Sequence, residues 1–219
     1  APGAEPAADP NLVLRVAVAA AEFGLPIAPG TLRNLKKCPI GDRNWTDESR
    51  ELFIRLLASG PALLNVWEDI DFIDVPGKLI PEWLGVRNRP SASAAHRYTI
   101  DRHMVEVVTR LGRETPSGGR YDDRHYEALL LAGILHDIGK RPGVANHAAE
   151  GARHATVVVE RMGFDRDIVR WVTLLVREHL TLSEFATGRN PNDPNVGDDL
   201  AGRLDHNPVL LDMLFDLTR

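Results

Sequence analysis

Along most of this chain apolar positions recur three and four residues apart, with polar positions filling the intervals. That period belongs to helices that bury one stripe and wet the other. No run alternates in the two-residue rhythm of a half-buried strand, and no internal repeat is visible. Asn11 to Gly24 (NLVLRVAVAAAEFG) is Ala-rich, opens at a polar cap and stops at glycine, which predicts a first helix. TLRNLKK adds one or two turns. Thr46 followed by Asp47 and Glu48 predicts a helix to Gly60 with Leu52, Phe53, Leu56 and Leu57 as its buried stripe. Pro61 suits the first turn of the next, PALLNVWEDIDFIDV, and the Pro76-Gly77 turn is expected to end it.

Residues 78–98 (KLIPEWLGVRNRPSASAAHRY) carry two prolines and a Ser/Ala patch and read as a connector, with a boundary between two helical units near residue 93. Four strong helices are predicted after it. TIDRHMVEVVTRLGRE places Ile100, His103, Met104, Val107, Val108 and Leu111 on one side. DRHYEALLLAGILHDIG follows the break at Ser117 to Gly119, with Gly139 as its stop. NHAAEGARHATVVVERMG runs to Gly163. DRDIVRWVTLLVREHL starts at an Asp165 cap and buries Ile168, Val169, Val172, Leu175 and Val176. Residues 183–199, with two prolines, read as a long polar loop, and two short helices close the chain. The expected fold class is all-α.

Bulk properties narrow the function. A chain of 219 residues is long enough for one large or two small domains with a real core. The net charge of −5 argues against a general nucleic-acid grip, which needs clustered excess Lys and Arg, and suits a metal enzyme, since metal sites consume carboxylates. The single cysteine, Cys38, excludes an internal disulfide and fits a reducing, cytoplasmic compartment. The longest apolar run falls far short of a membrane span, and no signal-peptide pattern opens the chain. The opening APGAEPAADP lacks Met, and residues 1–10 are expected to be a mobile tail at a cut within a longer protein.

Histidine placement carries the chemistry. A lone histidine near a helix end is ordinarily satisfied by a carbonyl. Here His103, His136, His147 and His179 fall on four consecutive helices, each at an inner face or an end, and Asp137 adjoins His136. That arrangement favours one shared site. Neutral imidazoles with a carboxylate suit Mn, Fe, Zn or Mg according to geometry. His154 lies about 10 Å along its helix from His147, too far for the same ion. His96 precedes its helix, and His125 and His206 sit in polar surroundings, so these three and His154 are assigned structural or surface roles, with His96 and His154 left as the candidates for an exception.

The set H…HD…H…H, with HDIGK after an apolar helix, DRHMVEVV upstream and NHAAEGA downstream, resembles the HD superfamily of metal-dependent phosphohydrolases. HRYTIDRH, LVREHLTLSEFA and LIPEWLGVRNRP narrow the likeness to the bifunctional uridylyltransferase/uridylyl-removing enzymes (GlnD family), from about Asn11 to Arg219. The resemblance implies a helical linker region at 11–93 and a C-terminally truncated HD domain at 94–219. Transferase and ACT domains belong elsewhere in such a parent. It implies hydrolytic removal of UMP or AMP from a tyrosine of the PII signal protein, with one or two divalent ions (Mn, Mg or Fe). His103, His136, Asp137, His147 and His179 match the metal-ligand positions, and Lys140 matches the basic residue of the HD-x-x-K pattern. A last Asp ligand follows a Leu-Thr box in that family. Here LFDLTR ends at Arg219, so that ligand is expected beyond it, and neither Asp212 nor Asp216 is substituted for it. Two other readings stay open: an HD phosphohydrolase acting on a free nucleotide, and a catalytically silent PII-docking module.

Overall fold

The computed structural model describes residues 4–40, 45–90, 98–113, 120–190 and 193–219. Among these the chain is all-α. Its N-terminal helices are α1 (Leu12–Phe23), α2 (Pro29–Leu35), α3 (Asp47–Leu57), α4 (Pro61–Asp71) and α5 (Val75–Leu79), followed by a 3-10 turn at Pro81–Gly85. After it come α6 (Ile100–Arg113), α7 (Asp123–Leu135), α8 (His147–Arg161), α9 (Arg166–Glu178), α10 (Thr181–Gly188), α11 (Pro194–Arg203) and α12 (Pro208–Thr218). The only β-like feature among the described residues is an isolated antiparallel bridge between Pro90 and Thr99.

Local chemistry explains most boundaries. Thr46 and Ser49 form a reciprocal capping box at α3. The Asp165 carboxylate accepts from the amides of Asp167 and Ile168 at the start of α9. Gly24 ends α1 in the left-handed region. Asn11 does not cap α1 through its side chain. Its amide donates to Glu48 and accepts from Ser49, which ties α1 to α3 instead.

Three expectations change. Pro76 does not stop the chain at a turn: it lies in the first turn of α5, where a missing N–H costs no helical bond. Residues 183–199 are not one polar loop, because α10 runs to Gly188 and α11 begins at Pro194. Asp193 caps α11 by accepting from the Asn195 amide at 2.9 Å. The proline that looked like a breaker is a helix start. Helix α7 ends at Leu135, and Gly139 does not stop it by adopting positive φ.

The later part of α7 is apolar around its circumference, with every residue from Ala128 to Leu135 buried, whereas Asp123 and Arg124 at its start are exposed. That later part has no solvent face and must lie at the centre of a bundle. Helices α6, α9, α3, α12 and α8 surround it, and α8 pairs with α9. On the N-terminal side α1 packs on α3 and α4, and α4 packs on α6. One buried apolar cluster runs from Val13 to Leu217. The boundary placed near residue 93 and the break at Ser117 to Gly119 lie outside the described residues. No described helix is long and apolar enough to cross a membrane.

Candidate metal centre

The central position of α7 decides where its end emerges. The chain leaves Leu135 inside the bundle, so His136 and Asp137 are only 5% and 2% exposed. The turn they begin lies directly on α8. A Cβ on Gly139 would sit 2.3 Å from the Gly151 amide nitrogen and 2.4 Å from the His147 carbonyl oxygen, so only glycine permits this approach. That contact brings the first residue of α8, His147, to Asp137. His179 follows the last turn of α9, and His103 lies in the first turn of α6.

The two carboxylate oxygens of Asp137 divide the surrounding groups. Oδ1 lies 3.6 Å from His179 Nε2 and 3.7 Å from His147 Nε2. Oδ2 lies 3.8 Å from His136 Nε2 and 3.2 Å from Lys140 Nζ. The His103 and His136 rings are edge-to-face with centroids 5.1 Å apart. Candidate ligand atoms therefore gather in two groups, His103–His136–Asp137 and Asp137–His147–His179, with Asp137 common to both. All five residues named from the sequence meet here, and Lys140 stands beside them.

The donor set fits a cation. Nδ1 of His136 lies 2.9 Å from the Gly133 carbonyl, and Nδ1 of His179 lies 2.7 Å from the Val176 carbonyl. A carbonyl only accepts, so each Nδ1 carries the proton and each Nε2 offers a lone pair. Nε2 of His147 and of His179 are buried without a hydrogen-bond partner. The imidazole–carboxylate separations are too long for hydrogen bonds. They approach the spacing of two ligands each about 2.1 Å from one ion.

Burial holds the His136 imidazole down to about 4, and burial also lowers His147, so both imidazoles are neutral at pH 7. Burial works against the Asp137 carboxylate, but the nearby imidazoles and the Lys140 ammonium hold it below the usual carboxylate range. The group stays an anion where a cation would need one.

The remaining histidines stand apart. His125 stacks on Trp171 at 4.1 Å and lies 2.8 Å from Asp122. His154 is buried against Glu150 at 3.0 Å. His206 is an exposed turn residue, and His96 lies outside the described residues. Asp216 is already committed: it accepts from Tyr121 at 2.6 Å and pairs with Arg120 and Arg219. Asp212 is exposed.

A cavity of about 230 Å³ opens over His103, His136, Asp137 and His179, and Arg110, Ser183, Thr218 and Arg219 also line it. None of these last four stands out in the sequence as a site residue. Spacing could have found two of them, since Arg110 is seven residues after His103 and Ser183 is four after His179.

Fold and site together define an all-α protein with a buried histidine–aspartate cluster of the kind that could hold metal. No family model matches the chain. It is 37% identical over 216 residues to the bifunctional uridylyltransferase/uridylyl-removing enzyme of Mycobacterium tuberculosis, an alignment that covers 98% of this chain and 26% of that protein. The enzyme of the same name from Streptomyces coelicolor is 40% identical over 194 residues, 87% of this chain and 22% of the relative. That of Corynebacterium glutamicum is 32% identical over 213 residues, 96% and 30%. The chain belongs to the bifunctional uridylyltransferase/uridylyl-removing enzyme family, and spans under a third of the length of these relatives.

Proposed function

We propose that this chain carries the uridylyl-removing half of such an enzyme, as an HD-type phosphohydrolase domain preceded by a helical linker. The reaction is hydrolysis of a nucleotidyl-O-tyrosine phosphodiester on the PII signal protein. Water oxygen bonds to phosphorus, the bond from phosphorus to the tyrosine oxygen breaks, and UMP or AMP leaves the restored tyrosine. The observation that carries this reading is the convergence of four imidazoles on the two oxygens of Asp137.

His103, His136, Asp137, His147 and His179 would hold one or two divalent ions, Mn, Mg or Fe. Such an ion, when bound, supplies Lewis-acid activation of water and charge neutralisation at phosphorus. The chain's own groups do the rest. Gly133 and Val176 carbonyls fix the His136 and His179 rings with Nε2 toward Asp137. Lys140, 3.2 Å from Asp137, places an ammonium at the cavity edge where a phosphoryl oxygen gathers charge. Arg110 adds a second cation. The departing phenolate has a conjugate acid near pKa ~10 and needs less protonation than an alkoxide.

The test is release of nucleotide from modified PII in Mn²⁺, by this chain and by a version extended past residue 219. His136→Ala is expected to abolish both metal uptake and release. An unchanged rate overturns the proposal.

A further inference from the structure

The turn that follows His136 is held from two sides. On one side Gly139 touches the α8 backbone. On the other, the Arg141 guanidinium lies on the 3-10 turn at Pro81–Gly85. A Cβ on Gly85 would sit 2.3 Å from Arg141 Nε and 2.6 Å from its Cζ. A guanidinium nitrogen of Arg141 donates to the Glu82 carbonyl at 2.8 Å. The Glu82 carboxylate takes both arms of Arg161 from α8, so the surface beneath Arg141 is itself fixed.

That contact is a poor one for stability alone. Nε of Arg141 is buried without a hydrogen-bond partner, and an unmet donor on a charged group costs about as much as the single bond to Glu82 returns. Its effect is geometric. The amides of Lys140 and Arg141 donate to the carbonyls of Asp137 and Gly139 at 2.9 Å each, which ties the stretch from Asp137 to Arg141 into one tight turn. Pro142, Gly143, Ala145 and Asn146 beyond it are exposed. Arg141 is therefore the anchored side chain at the edge of an exposed loop, and Lys140 directly precedes it. Lys140 Nζ stands 3.2 Å from Asp137 Oδ2. A lysine stem is flexible, so where its ammonium rests depends on how the backbone is held.

We propose that Arg141 is a positioning residue: through it the Pro-Glu-Trp segment keeps the Lys140 ammonium at the cavity beside Asp137. Displacing that segment then slackens Lys140 without removing any candidate metal ligand. The effect on hydrolysis rests on the function proposed above, whereas the placement of Lys140 does not.

Two variants test the contact from its two sides. Arg141→Ala removes the guanidinium. Gly85→Ala pushes it off the turn, since the three atoms nearest a Cβ there all belong to the Arg141 guanidinium. The first readout is acetylation of the lysines of the metal-free full chain by trace acetic anhydride, followed by mass spectrometry, with the exposed Lys36 and Lys37 as references. In either variant Lys140 is expected to react roughly fourfold faster, as its side chain goes from 23% exposed toward full exposure, while Lys78 on α5 keeps its rate. Nucleotide release from modified PII in Mn²⁺ is the second readout. Each variant should lose roughly tenfold at unchanged metal content, and Lys140→Ala combined with Arg141→Ala should be no slower than Lys140→Ala. Unchanged Lys140 labelling in both variants overturns the proposal, and so does a rise that Lys78 shares, which means general loosening. A double variant slower than Lys140→Ala gives Arg141 a role of its own and also overturns it. If the unaltered chain releases no nucleotide, the proposed function fails and the labelling decides the placement of Lys140 by itself. If Arg141→Ala does not fold, Gly85→Ala carries the test.

Discussion

Lys140 and His136 both face Oδ2 of Asp137, yet they answer different tests. Lys140 is on the cavity side and partly exposed, so Lys140→Ala should leave metal content intact. Nucleotide release should fall on the order of a hundredfold, the usual cost of one charge-stabilising donor. Metal analysis beside the rate separates the roles: loss of metal would make Lys140 a support for the ligands. His136 offers a pH test. Its folded-state value is held by burial to about 4, against 6.5 when unperturbed. Between those values the unfolded chain binds a proton that the fold refuses, so stability falls as pH falls through that window. The lowered Asp137 value acts in the same direction at still lower pH. Urea midpoints of the metal-free chain should therefore drop from about pH 7 to about pH 4.5, and His136→Gln should flatten the slope over that interval.

The helix ends, rather than the helices, assemble the cluster. His136 and His179 stand at the C-terminal caps of α7 and α9, while His103 and His147 stand in the first turns of α6 and α8. The α7 end and α8 touch backbone to backbone at Gly139 and Gly151. Gly139→Ala is expected to destabilise the chain by about 3 kcal/mol, as overpacking against rigid backbone does. It should also weaken metal uptake by displacing His147. A Cβ on Gly151 would lie 3.3–3.4 Å from its nearest neighbours, so Gly151→Ala should cost clearly less. Denaturant midpoints of the two variants compare them, and equal losses would contradict the close approach at Gly139.

At the scale of the whole molecule, the N-terminal helices and the cluster-bearing helices share one core. The Pro-Glu-Trp segment fastens them further. Glu82 receives both arms of Arg161 at 2.9 and 2.7 Å, and Arg141, next to Lys140, donates to the Glu82 carbonyl at 2.8 Å. Residues 94–219 alone would expose the face of α6 that α4 covers. That piece is expected to aggregate, or to melt well below the full chain, in gel filtration and thermal unfolding. A soluble piece melting cooperatively at the parent temperature would show that the two units are independently stable.

Periodicity alone determined the all-α class, because helical stripes of about 3.6 residues need no partner to be read. The stripe of α9 and the caps at Thr46 and Asp165 were legible for the same local reason. So were the five cluster residues, since histidines repeated at the ends of successive helices point to a single meeting place. Tertiary structure decided what depends on contact. Gly139 looked like a helix stop and is a point of close approach. Pro194 looked like a breaker and starts a helix, because Asp193 caps it. Arg110 joins the cavity only because α6 lies against the end of α12, where it donates to the Leu217 carbonyl. The indole Nε1 atoms of Trp67 and Trp83 and Oδ1 of Asp71 and of Asp101 are buried without a hydrogen-bond partner, and no local pattern announces them. They come from segments up to thirty-four residues apart (Trp67 to Asp101), and burial is a property of the fold, not of the chain.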